Sequence, residues 1–126
     1  MDITSIGIVG AGQMGNGIAH VCALAGYDVT LTDVNADAME EAVKIIGTNL
    51  DRQVSREKIA QNDRDAAMQR IRTTSTLIEL GPSDLIIEAA TEREDVKHAI
   101  FAELLPALKP ETILTSNTSS ISITRL

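Results

Sequence analysis

Ile6-Gly7-Ile8-Val9-Gly10-Ala11-Gly12-Gln13-Met14-Gly15 is the stretch that decides how this chain folds. A short apolar run leads into glycines spaced G-x-G-x-x-G. A helical pattern follows at once, with Met14, Ile18, Val21, Cys22 and Ala25 at i, i+4, i+7, i+8 and i+11. Gly26 supplies a stop, and a second apolar run, Val29-Thr30-Leu31-Thr32, ends on Asp33. Strand, glycine turn, helix, turn, strand and acid fall within the span of one βαβ unit.

Each glycine has its own task in such a unit. Gly10 permits the tight turn off the strand, Gly12 leaves room for a pyrophosphate to approach bare backbone, and Gly15 lets the helix pack closely on the sheet. The helix then offers the N–H groups of its first turn, from about Gln13 and Met14, together with the positive end of its dipole. No cationic side chain stands in the loop, and none is needed to hold two phosphates there. Asp33 comes about 20 residues beyond the loop, where a dinucleotide fingerprint places its acid. A carboxylate there can accept both ribose hydroxyls of an adenosine. It repels a 2′-phosphate, since two like unit charges about 4 Å apart cost roughly 4 kcal/mol at an effective dielectric near 20. No Arg follows in Val34-Asn35-Ala36, so the expected cofactor is NAD rather than NADP. A glycine turn that serves packing alone leaves Asp33 without a reason.

With 126 residues and 44% apolar content, the chain fits one domain with enough material for a core. A net charge of −7, one Tyr, one Phe and no Trp argue against nucleic acid, because neither a cationic footprint nor an aromatic platform is present. The single cysteine, Cys22, lies on the apolar stripe of the first helix and reads as an inert buried thiol. One cysteine allows no internal disulfide, so nothing calls for an oxidising compartment. Met1-Asp2-Ile3-Thr4 runs almost straight into the first strand, without a basic or hydrophobic leader. No apolar stretch approaches membrane-spanning length. A cytoplasmic location, no membrane partner and no metal site are the expectations.

Further along, Asn35 is an N-cap candidate with Asp37 in the first turn. Met39, Ala42, Val43, Ile46 and Leu50 keep helical spacing, which weakens toward Val54 and ends in Ser55-Arg56-Glu57-Lys58. A second helical segment, about Asp63 to Ile71, carries Ala66, Ala67, Met68 and Ile71 back toward the sheet. The two are expected to form an antiparallel arm standing off the core. Arg52 and Arg56, four apart, share a face of it. Thr73-Thr74-Ser75 is a short strand candidate, and Leu77 to Leu80 one helical turn stopped by Gly81-Pro82. Leu85-Ile86-Ile87-Glu88-Ala89 reads as a buried parallel strand, apolar without alternation, in which Glu88 is the anomaly. An acid at the C-terminal end of such a strand lies beside the crevice where these sheets bind ligands; a supporting or capping role and direct ligand contact both remain open for it. Thr91-x-x-Glu94 matches a capping box, opening a helix with Val96, Ile100, Leu104 and Leu108 on one side. Glu92 and Lys97 fall in its first turns, and His98 points to the surface. Lys109-Pro110 ends this helix, and Ile113-Leu114-Thr115-Ser116 is the last strand. The polar cluster Ser116-Asn117-Thr118-Ser119-Ser120 then falls just past a strand's C-terminal end, where the nicotinamide half of a dinucleotide belongs. The fold expected is α/β, a Rossmann-type doubly wound, mostly parallel sheet with a protruding helical arm after the second strand.

These residues resemble the NAD-binding domain of the 3-hydroxyacyl-CoA dehydrogenase family, of the bacterial 3-hydroxybutyryl-CoA type, over all 126 positions. The likeness rests on Gly7 to Gly15, on Ile18-Ala19-His20, on Ala25-Gly26-Tyr27-Asp28-Val29, on Asp84 to Ala89 and on Ser116 to Ser120. The first block is shared with many Rossmann proteins, the last is far more specific. By this resemblance Asp33 is the adenosine-ribose acid. Glu92 and Lys97 match an acid and a lysine that contact the cofactor, and Asn117 an asparagine beside the nicotinamide ribose. Ser119 matches a serine that hydrogen-bonds the substrate's 3-oxygen and touches the cofactor. The arm resembles one that meets the CoA moiety, through basic residues around Arg52, Arg56 and Lys58. The implied reaction interconverts (S)-3-hydroxyacyl-CoA and 3-oxoacyl-CoA by hydride transfer to NAD. Fatty acid metabolism is the implied setting.

The family's catalytic His, paired with a Glu, lies downstream of the Ser-Asn-Thr-Ser-Ser segment, followed by a helical dimerisation domain. Residues 1–126 therefore read as a cofactor-binding domain cut off before that segment, inactive alone, from a parent that forms a homodimer through the missing part. His20 lies in the nucleotide helix and cannot stand in for the base. Two rivals stay open on the residues themselves: a non-catalytic NAD-sensing or structural Rossmann module, and a domain of a 3-hydroxyisobutyrate-type or 6-phosphogluconate-type dehydrogenase. The arm and the Ser-Asn-Thr-Ser-Ser end favour the acyl-CoA reading over the latter.

Overall fold

The computed structural model describes residues 3–89 and 94–116. In chain order they form β1 (Ser5–Val9), α1 (Gln13–Leu24), β2 (Asp28–Thr32), α2 (Ala36–Ser55), α3 (Gln61–Arg70), β3 (Ile71–Thr74), β4 (Leu85–Glu88), α4 (Glu94–Leu104) and β5 (Ile113–Ser116). Short 3₁₀ turns occupy Leu77–Leu80 and Leu105–Ala107. The five strands make one parallel sheet in the order β3-β2-β1-β4-β5. Chain direction across the sheet therefore reverses between β1 and β4, and helices lie on both faces.

One face carries Ile6 and Ile8 of β1 with Val29 and Leu31 of β2. These are buried beneath Ala19 and Ala23 of α1, Met39, Ala42, Ile46 and Leu50 of α2, and Ala67 of α3. The other carries Val9, Ile86 and Leu114, packed against Leu80, Phe101 and Leu104. The helical arm after β2 is α2 and α3. Arg64 Nε meets Asp51 Oδ1 at 3.0 Å while Met68 lies against Gly47, so the two helices run antiparallel. The base of the arm belongs to the core through Ala42, Ile46 and Leu50, and its tip, Ser55 to Lys58, is exposed.

Local signals explain most boundaries. The Asn35 side chain accepts from the Ala38 amide at 3.2 Å and opens α2 as an N-cap. Gly26 follows α1 with a φ of +109°, a left-handed conformation that glycine adopts without penalty. The Arg70 guanidinium donates to the Ala23 carbonyl at 2.8 Å, which ties the end of α3 to the last turn of α1.

Four expectations need correcting. The buried face of α1 is Gly15, Asn16, Ala19 and Ala23, whereas Met14 and Val21 are 47% and 66% exposed and Cys22 only half-buried. Helix and sheet approach too closely for large side chains, so the small residues face inward, Ile18 and Cys22 pack at the edge of the core, and Met14 and Val21 are left outside. Ile71 opens β3 instead of closing α3. The helix α4 stops at Leu104, not Lys109, because Pro106 has no N–H for the carbonyl of Ala102. Within β4, Ile86 and Glu88 are buried on one face, whereas Leu85 and Ile87 on the other are only half-buried, at the margin of the core beneath α1.

Candidate functional site

At the C-terminal end of β1 the backbone turns through Gly10, whose φ is +110°. The Gly10 amide donates to the Thr32 carbonyl at 2.8 Å, extending the β1–β2 ladder by one rung. The next amide, that of Ala11, leaves the ladder and donates to Asp33 Oδ2 at 2.8 Å. The second oxygen of the same carboxylate, Oδ1, accepts from the Asn35 amide at 2.9 Å. Asp33 thereby holds both the glycine turn and the turn that leads into α2.

Gly12 is the N-cap of α1, and its carbonyl accepts the first helical hydrogen bond from Asn16 at 2.9 Å. No acid lies in the first turn of α1 and no side chain caps it. The positive end of the helix dipole thus faces the turn, with the Asp33 carboxylate on the preceding Ala11 amide as the protein anion next to it among the described residues. Gln13 and Met14 are exposed at this helix end. The two inner glycines differ in kind. A Cβ on Gly15 would stand 1.7 Å from the Gly10 carbonyl oxygen, so that glycine is demanded by the fold itself. A Cβ on Gly12 would meet nothing within 4 Å. The space above Gly12 lies open over bare backbone, which suits a diphosphate pressed against amides.

A cleft of about 440 Å³ continues from this turn, with Gly10, Asp33 and Val34 on one side and Leu77 and Ile100 on the other. Leu77 and Ile100 give it an apolar wall, and Glu103 reaches its rim. An aromatic base slotted beside a ribose held by Asp33 matches that combination of one acid and apolar walls. Ser75, Leu77, Ile100 and Glu103 come from elements remote in sequence and carry no motif, so sequence reading did not find them.

Of the other candidate residues, Lys97 lies on α4, but its side chain, like Glu92, Asn117 and Ser119, falls outside the described residues. The strand leading to that last segment is described: Ser116 ends β5 in register with Glu88 of β4. Arg52, in the last turn of α2, lines a shallow groove of about 230 Å³ with Lys44, Thr48 and Asn49. Arg56 caps the end of α2 and Lys58 lies in the exposed tip, away from that groove. Lys44 is the basic residue the sequence reading passed over; its spacing from Arg52, with Thr48 between, is the i, i+4, i+8 signal for one helix face.

His20 has a different role. Its Nε2 stands 2.8 Å from Gln53 Oε1, joining α1 to α2. Burial pushes the Cys22 thiol up from its ordinary value, which disfavours thiolate chemistry. Among the described residues, no group of three or more His, Cys, Asp or Glu is placed to hold a metal ion, and no helix is long and apolar enough to cross a membrane.

Residues 5–126 match the family described as 3-hydroxyacyl-CoA dehydrogenase, NAD binding domain. The chain belongs to that family. A 3-hydroxybutyryl-CoA dehydrogenase of Bradyrhizobium diazoefficiens is 52% identical to this NAD-binding domain over 124 residues, 98% of the chain and 42% of the relative. A crystal structure of (S)-3-hydroxybutyryl-CoA dehydrogenase from Ralstonia eutropha superimposes with a TM-score of 0.90 at 41% identity. The overlap covers 99% of this chain and 44% of that one. For 3-hydroxybutyryl-CoA dehydrogenase from Escherichia coli K12 the TM-score is 0.92 at 40% identity, over 98% of this chain and 26% of that one. The 3-hydroxyacyl-CoA dehydrogenase domain thus spans less than half the length of these relatives, and NAD is the cofactor of its family.

Proposed function

We propose that this domain holds NAD for an enzyme that interconverts (S)-3-hydroxyacyl-CoA, in particular 3-hydroxybutyryl-CoA, and the 3-oxoacyl-CoA. The observation that carries this reading is the unit made by the glycine turn and Asp33: open space above Gly12 at a helix N-terminus, beside an acid held by the amide of the same turn. Gly10, Gly12 and Gly15 shape the cradle, and the amides at Gln13 and Met14 receive the diphosphate. Asp33 takes the adenosine ribose. Glu92, Lys97 and Asn117 complete the hold on the cofactor, and Ser119 hydrogen-bonds the reacting oxygen of the substrate. Arg52, Arg56 and Lys58, with Lys44, supply the cationic side of the arm for the anionic CoA portion.

Bound NAD supplies the hydride acceptor. The chain's own part is positioning: the turn fixes the cofactor, and Ser119 orients the 3-oxygen. A general base contributes about 10²–10⁴-fold in such reactions. In our reading that base is a His paired with a Glu in sequence beyond the cofactor domain, followed by a helical domain through which the whole enzyme dimerises. Residues 1–126 alone therefore bind NAD(H) without appreciable turnover.

Titration of the purified chain with NADH, followed by nicotinamide fluorescence, tests the first half of this reading. Saturable enhancement is expected, and a flat titration at millimolar protein rejects it. Incubation with NADH and acetoacetyl-CoA tests the second half: NADH absorbance is expected to hold steady, and steady consumption rejects the assignment of the base to another segment.

A further inference from the structure

Glu88 ends β4 at the point where the strand order reverses. It is 0% exposed, at the end of a strand whose other residues are Leu85, Ile86 and Ile87. In register it lies between Val9 of β1 and Ser116 of β5. The Ala89 amide donates to the Val9 carbonyl at 2.8 Å, so the backbone beyond Glu88 stays fastened to the strand that enters the glycine turn. Among the described residues every buried side-chain nitrogen or oxygen has a hydrogen-bond partner, and the Glu88 carboxyl is thereby held in a fixed place.

The direction of a bound dinucleotide follows from the site. Asp33 fixes the adenosine at the end of β2, and the diphosphate crosses the turn after β1. The nicotinamide must then extend past the reversal, over the C-terminal end of β4. Neighbouring strands are about 4.8 Å apart, so a ring above the ends of β4 and β5 stands within one or two strand spacings, about 5–10 Å, of Glu88. That ring carries one positive charge in NAD⁺ and none in NADH.

We propose that Glu88 sets the relative affinity of the site for the two forms of the cofactor: its buried negative charge stabilises the cationic ring of NAD⁺ and leaves the neutral ring of NADH unaffected. This rests on the reading that NAD binds at the glycine turn. A charge at that separation, in an effective dielectric of about 20, changes a binding constant by about tenfold or more. Burial keeps the effect from being screened by salt. A buried acid on a central strand could instead serve the fold alone, and then its loss would weaken both forms of the cofactor alike.

Calorimetric titration of the chain with NAD⁺ and with NADH, before and after Glu88→Gln, separates the two roles, with thermal melting as a check on folding. The expected result is that Glu88→Gln weakens NAD⁺ about tenfold relative to NADH, while Glu88→Asp, which keeps the charge, holds the ratio within about twofold. Glu88→Met, of similar volume and uncharged, gives the same readout if the amide variant does not fold. An equal change in both dissociation constants, or none, overturns the proposal. If the unaltered chain binds neither form, the assignment of the cofactor site itself fails, and the proposal falls with it.

Discussion

The Ala11 amide donates to Asp33 Oδ2 across 2.8 Å, binding the glycine turn of β1 to the acid that follows β2. Because Oδ1 of the same group accepts from Asn35, the carboxylate bridges two turns of the cofactor rim. In Asp33→Asn one acceptor becomes a donor, and one of the two amides loses its partner. A hydrogen bond to a charged group contributes about 1.5–3 kcal/mol. The variant is expected to melt at a lower temperature and to bind NADH at least tenfold more weakly, the loss exceeding that of a ribose contact alone. Melting curves and fluorescence titration check both. Unchanged stability would mean that the bridge does not hold the turn.

Gly12 and Gly15 are expected to respond oppositely to the same change. Gly15→Ala drives a methyl into the Gly10 carbonyl and should unfold the turn, lowering the melting temperature and abolishing binding together. Gly12→Ala meets open space, so stability should be kept while NADH binding falls, because the methyl occupies the room a diphosphate needs. Parallel melting and titration of the two variants decide the matter.

The small inner face of α1 makes a packing prediction. Ala19 is fully buried where helix and sheet meet. Ala19→Leu overfills that seam and should cost about 1–3 kcal/mol, with the helix displaced from the turn. Denaturant titration gives the stability loss. Val21→Leu, on the exposed side of the same helix, should be neutral.

Asp84 gives a pH dependence at the opposite end of the sheet. Its carboxylate accepts from the Lys109 ammonium, from the Thr4 amide at 2.9 Å and from the Ser5 amide at 3.2 Å. The Lys109 ammonium first, then the Thr4 amide, hold the Asp84 carboxyl well below the usual carboxylate range. The unfolded chain titrates this group near its ordinary value of about 3.9. Its stabilising effect is therefore fully present above about pH 4 and is lost as the pH falls below it. Lys109→Met should lower the melting temperature most at neutral pH, with the gap to the unaltered chain closing toward pH 2.

Much of this was legible in the sequence, for identifiable reasons. Gly10 and Gly15 could be read because the turn itself admits few residue types there, and Gly12 and Asp33 because a diphosphate needs bare backbone and a ribose an acid at that spacing. Asn35 could be read because a cap needs a short side-chain acceptor. The orientation of α1 could not, since periodicity finds the most apolar stripe, whereas the close approach of helix and sheet selected Gly15, Ala19 and Ala23. The end of α4 was missed where the apolar spacing of Leu104 and Leu108 outweighed Pro106. The cleft wall of Leu77 and Ile100 was hidden because its residues meet only after the sheet has formed. Lys44 lies two helical turns from Arg52, and only the groove that they share brings the two together.

Asp84 joins the beginnings of β1 and β4, and Lys109 brings in the segment before β5, while Asp33 and Glu88 stand at the other ends of their strands. At about 3.3 Å per residue, the four steps from Asp84 to Glu88 separate the two regions by about 13 Å. The sheet is riveted at its foot and equipped at its crown, so ligand preference can be rewritten in the upper loops while the foundation stays as it is.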